Sequence, residues 1–86
     1  MYAKTLTNND FIYSETLSIW VATVLATTHQ LGTGVTVCKM LVRDDDGNWD
    51  NTVQTFRVDS NGDVNILVDE PGIYRISILD TKTRDV

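Results

Sequence analysis

The 86-residue sequence is most informative first for what it lacks. It holds one cysteine, Cys38, so no disulfide can close within the chain. A lone thiol fits a reducing compartment or simple burial. It holds one histidine, His29, which excludes a two-histidine zinc site and any His-rich metal site. Seven Lys and Arg stand against twelve Asp and Glu, for a net charge of −5, and the cations are scattered rather than striped. That balance argues against nucleic acid, whose backbone demands clustered cations to displace counterions, and against an anionic membrane surface. The longest apolar run, Leu17 to Ala26, is too short for a bilayer helix of about 20 residues. Asp10 and Glu15 precede it with a single lysine, the wrong charge for a secretory leader, and a buried strand is the expectation.

What is present points to one small folded domain. Hydrophobic residues make up 42% and charged residues 22%, close to ordinary globular usage. A domain this small often draws stability from disulfides, metals or a partner. With the first absent and no metal cluster evident, self-association or docking is expected.

Short β-like runs separated by turn signals set the fold class. Residues 1–16 are polar, with Tyr2, Leu6, Phe11, Ile12 and Tyr13 as apolar anchors and Asn8-Asn9-Asp10 as a turn. They read as an N-terminal arm or an edge strand ahead of a single β-sandwich domain over residues 17–86. Leu17 to Thr28 fits both a helical stripe and strand alternation. Its many β-branched residues lose side-chain freedom in helices, which favours strand. Gln30 to Gly34 then reads as a loop, and His29 is expected on a loop as well. In Val35 to Arg43 the alternation assigns Thr36, Cys38, Met40 and Val42 to the core and sends Lys39 outward. Asp46-Gly47 and Asn61-Gly62 are hairpin signals, since glycine accepts the positive φ of a tight turn. Pro71-Gly72 reads as a further turn of the kind in which Pro presets φ and Gly takes the next position. Phe56 and Val58, then Val64, Ile66 and Val68, then Tyr74, Ile76 and Ile78, each alternate. The charged tail from Asp80 to Val86 is expected to be peripheral. Turn-punctuated strands at spacings of roughly 8 to 12 residues indicate an all-β fold, a small antiparallel sandwich or barrel of about six or seven hairpin-connected strands.

The candidate chemistry is thin. A calcium loop of the EF-hand type needs oxygen ligands at positions 1, 3 and 5 before a glycine at 6. Placing Gly47 at position 6 puts Val42 at position 1, and placing Gly62 there puts Arg57 at position 1, so both registers fail. Solvated hairpin turns explain those aspartates better. Nucleophilic catalysis would require Cys38 or a serine beside His29. With Cys38 on the presumed core face, it reads as an inert packed thiol. No carboxylate pair stands out for hydrolysis, and Gly32-Thr33-Gly34 lacks the lysine and helix start of a phosphate loop. No cofactor, metal or catalytic residue is therefore assigned, and the chain reads as a non-enzyme. Trp49, just after a turn, is the best candidate for an exposed aromatic.

Several of these segments together resemble short virion proteins of tailed bacteriophages. They are Gly34-Val35-Thr36-Val37, Asp46-Gly47-Asn48-Trp49, Thr55-Phe56, Asn61-Gly62, Glu70-Pro71-Gly72 and Tyr74-Arg75-Ile76, spanning residues 34–79. The resemblance implies a small β-sandwich that decorates or cements a head, or sits at the neck or tail, as a symmetric homo-oligomer. Its implied partners are other virion proteins, foremost the major capsid protein. Its implied place is the virion, assembled in the bacterial host cytoplasm. Attachment is then expected through a strand edge or the N-terminal arm, with Tyr2, Leu6, Phe11, Ile12 and Tyr13 as assembly contacts. On that expectation, a chain lacking residues 1–16 still folds but no longer joins the particle. The competing class is a sugar- or peptide-binding sandwich module with Trp49 at its site.

Overall fold

Residues 1–80 are described by the structure, a computed structural model. Their elements are β1 (Tyr2–Leu6), a 3-10 turn (Asn8–Asp10), β2 (Ile12–Ser14), β3 (Ile19–Val24), α1 (Ala26–His29) and β4 (Val35–Arg43), followed by β5 (Trp49–Asn51), β6 (Thr55–Val58), β7 (Val64–Val68) and β8 (Tyr74–Asp80). The strands form two four-stranded sheets, ordered β1-β8-β4-β5 and β2-β3-β7-β6, with every pairing antiparallel. This is the small all-β sandwich expected, with eight strands rather than six or seven. Hairpins inside a sheet (β2–β3, β4–β5, β6–β7) alternate with crossings between sheets. The tail beyond Asp80 lies outside the described residues.

Alternation builds the core. Ala22 and Val24 of β3, Val64, Ile66 and Val68 of β7, and Tyr74, Ile76 and Ile78 of β8 face one another between the sheets, all buried. Each fully buried aliphatic side chain contributes about 1.5–3 kcal/mol. The two acidic hairpins share one geometry. At Asp44 to Asn48, the Asp44 carboxylate accepts from the Asp46 and Asn48 amides, and the Gly47 amide donates to the Asp44 carbonyl. Asp59 to Asp63 repeats this bond for bond around Gly62. Within these two turns positive φ falls on the glycines alone, +86° at Gly47 and +89° at Gly62. These are three-residue loops built on a type I turn with a left-handed glycine. The first aspartate of each turn, Asp44 and Asp59, is engaged by backbone amides. Gly72, in contrast, has no positive φ. The turn geometry expected for Pro71-Gly72, with Gly72 at positive φ, is therefore not adopted.

The structure corrects the reading of β4. Val37 pairs with Ile78 but Lys39 pairs with Ser77, so a bulge at Cys38 slips the register by one residue. A one-residue slip reverses the faces. Val35 and Val37 point inward before the bulge and Met40 and Val42 after it, while Cys38 is exposed. Thr36 and Cys38 are therefore not core residues.

One further segment differs from expectation, and another takes the edge-strand form that the sequence left open beside an arm. Leu17 to Thr28 is neither one strand nor one helix, because β3 ends at Val24 and α1 follows as a single turn. Residues 1–16 are not a free arm. β1 lies in register along β8, β2 along β3, and each forms the edge of its sheet. Leu6 and Phe11 are 1% and 5% exposed, and the Phe11 ring meets Tyr74 edge-on at 5.6 Å. Removing residues 1–16 would strip both sheets of an edge and open the core.

Candidate functional site

Of the five anchor residues read from the N-terminal segment, the fold separates two from three. Leu6 and Phe11 belong to the core, and Tyr2 packs against it. Ile12 and Tyr13 stay at the surface, 75% and 46% exposed. Tyr13 stands edge-on to Trp20 at 5.3 Å on the core side of the β2 edge, while Ile12 pairs with Val21 on the outer face. Trp49 is half-buried on the outer face of the other sheet, with the Arg75 guanidinium 4.3 Å over its ring. That cation occupies one face of the indole, the surface on which a sugar would stack.

His29 sits in the most built polar constellation, and it is structural. It is 4% exposed at the end of α1. Its Nε2 donates to the Gly62 carbonyl at 2.7 Å, and its Nδ1 accepts from the Leu31 amide at 3.0 Å. The acceptor role of Nδ1 specifies the tautomer with hydrogen on Nε2. Asp63, one residue further along the hairpin, accepts from the Ala26 amide at 2.8 Å and so caps α1 at its start. The β6–β7 turn thus grips both ends of the single-turn helix, and both imidazole nitrogens are engaged. Cys38 lies in the β4 bulge and donates to the Ser77 carbonyl at 3.5 Å, not to His29. The fold does not bring the candidate nucleophile and base together.

Tyr74 ties the β7–β8 crossing down. Its hydroxyl donates to the Glu70 carbonyl at 3.0 Å, a tyrosine corner. Burial pushes its phenol above the ordinary value of 10.0, and the Glu70 and Asp69 carboxylates add to the shift.

The surface feature that remains is a shallow groove of about 600 Å³ across the outer face of the β2-β3-β7-β6 sheet. Ile12, Leu17, Val21 and Leu67 form its apolar strip, and Arg57 and Asp59 stand at its far side. Strand register builds the strip, since Ile12 pairs with Val21 and Val21 with Leu67 across three strands. The turn between β2 and β3 completes it. Ser18 takes φ of 54°, the Leu17 amide donates to the Ser14 hydroxyl, and Leu17 lines the groove while 47% exposed. A hydrogen bond from Thr23 to Asn65 at 2.7 Å joins β3 to β7 at the polar end. Sequence reasoning found Ile12 and missed Leu17, Val21 and Leu67. The available signal was β3 itself, where Ile19 and Val21 make the outer face as apolar as the inner one. No group of three or more His, Cys, Asp or Glu placed to hold a metal occurs among the described residues. No protein family, curated protein or solved structure matched the chain.

Proposed function

We propose that this chain is a non-enzymatic structural protein of a tailed-phage particle, a decoration or cement protein that docks on the major capsid protein. The observation that carries the reading is the apolar strip of the outer groove. Ile12 and Leu17 hold exposures of 75% and 47% beside half-buried Val21, with the buried Leu67 as the floor, on a sheet face with few charges. Contiguous exposed apolar surface rimmed by polar groups marks a docking site. The docking is physical rather than chemical, a rigid sandwich laying one sheet face on a neighbour. The segments that resemble virion proteins support the placement in a particle, and they lie in the turns and strands of the sandwich. The sugar-binding alternative loses support because Arg75 covers one face of Trp49.

The test replaces Ile12→Glu and Leu17→Glu, both at exposed positions where the fold should tolerate a charge. Each purified variant is mixed with particles lacking the chain, and bound copies are counted. The reading expects wild-type chain to saturate the particle and each variant to lose at least about tenfold in affinity, since burying an unpaired carboxylate is costly. Saturating binding by both variants, or none by wild type, would overturn it.

A further inference from the structure

Sheet edges invite pairing with another strand, and folded proteins block them with inward-pointing charges, shortness or cover. Three of the four edges here carry such a device. On β1, Lys4 pairs with Ile76 and so points its charge toward the core side. On β5, Asp50 does the same opposite Val42. β2 is only three residues long. β6 differs, for Phe56 and Val58 face the core side and Thr55 and Arg57 the solvent side, so no charge points inward.

The backbone phase of β6 follows from its hairpin. The Asp59 amide donates to the Asp63 carbonyl, so Asp59 turns its polar groups toward β7. Antiparallel pairs alternate between bonded and non-bonded. Arg57 and Thr55 therefore also face β7, and Phe56 and Val58 turn their N–H and C=O groups to the open edge. Beside that edge lies a notch of about 180 Å³, lined by Val37, Met40, Val53 and Phe56 together with Lys39 and Gln54, among others. Val53 is 98% exposed and Phe56 only half-buried.

We infer that β6 pairs with β6 of a second copy about a twofold axis at Phe56, joining two four-stranded sheets into one of eight. A second copy is the occupant because the strand is its own complement in this register. Phe56 meets Phe56 of the other copy, both with edge-facing backbone groups and both on the core side beside the notch. Arg57 falls opposite Thr55, so no cation lies directly opposite another. A twofold axis at Val58 would leave Phe56 opposite Ser60 and bring the turns together, forfeiting the aromatic contact. A twofold axis at Arg57 keeps the same backbone phase but sets Arg57 against Arg57, so charge and aromatic contact together select the register at Phe56. The contact is small, so the association is weak, below the roughly 1,200 Å² of a standard interface. It uses the edge opposite Ile12 and shares with the groove only the Arg57 and Val58 side of its lining.

Sedimentation velocity over a concentration series tests the pairing in wild type, Thr55→Glu and Thr55→Lys. Thr55 is exposed, so neither change disturbs the core. The symmetric pairing puts residue 55 opposite Arg57 of the other copy twice. Cross-strand charge pairs then make Thr55→Glu about three- to tenfold tighter than wild type and Thr55→Lys weaker by a similar factor. Amide exchange at Phe56 and Val58 slows as concentration rises, whereas Ile12→Glu leaves the association unchanged. A chain that stays monomeric into the millimolar range overturns the pairing. So does a dimer indifferent to both Thr55 variants, or one abolished by Ile12→Glu.

Discussion

Gly47 and Gly62 occupy the same position in two turns with matching hydrogen bonds, and replacing each with alanine separates backbone conformation from packing. Both hold φ near +87°, where a Cβ costs about 1 kcal/mol. At Gly47 the added methyl would meet only the end of the Arg43 side chain, at 3.5 Å, which can move away. At Gly62 it would lie 2.6 Å from the Gly32 carbonyl oxygen and 3.1 Å from the Thr33 Cα, both backbone. Relieving that overlap means shifting the loop after α1 away from the hairpin, at about 1–3 kcal/mol for overpacking. The shift also strains the His29 bond to the Gly62 carbonyl, about 1 kcal/mol more. Gly62→Ala should therefore lose about 3–5 kcal/mol and Gly47→Ala about 1 kcal/mol. Urea unfolding followed by tryptophan fluorescence measures both. A chain of this size holds on the order of 4–13 kcal/mol, so Gly62→Ala should sit near the edge of folding. Losses equal to within about 0.5 kcal/mol would refute the packing of the hairpin on the α1 loop.

Two further predictions follow from single side chains. Tyr74→Phe removes the hydroxyl bond to Glu70 and should cost about 1 kcal/mol at neutral pH. Because the folded state raises the phenol above 10.0, it binds more protons than the unfolded chain in that range, and wild-type stability should fall as pH rises past 10. The gap between wild type and Tyr74→Phe should then narrow above pH 10, and a constant gap from pH 8 to 11 would contradict the burial of the phenol. Cys38 should react with a disulfide reagent in the native protein at a rate within about tenfold of the unfolded chain, as an exposed thiol does. A reaction that waits for unfolding would return Cys38 to the core and remove the bulge.

The sandwich was legible because its strands alternate cleanly and its turns carry Asp and Gly where the backbone needs them. Val64, Ile66 and Val68, and Tyr74, Ile76 and Ile78, face the core as their spacing indicates. The bulge at Cys38 was not legible, since Val35 to Val42 alternates apolar and polar side chains ambiguously on both faces, and only pairing with β8 decides the register. The His29 constellation was hidden for a different reason. It joins residues 33 positions apart through a backbone carbonyl, which leaves no side-chain signature at the second site. The groove was half legible. Ile12 stood out in a polar segment, but Leu17 and Val21 read as part of a buried strand, because an apolar residue in a strand does not reveal which face it takes. The N-terminal segment stayed open between arm and edge strand because its anchors are sparse and suit both, and its pairing with β8 and β3 makes it edge strands.

The claim that this sandwich works by docking its outer groove is tested most directly by hydrogen exchange on the full chain, free and bound to particles. Protection on binding should concentrate on residues 12–21 and on Leu67, the segments that build the apolar strip. Unchanged exchange there, with protection confined to the Trp49 and Arg75 face, would contradict it.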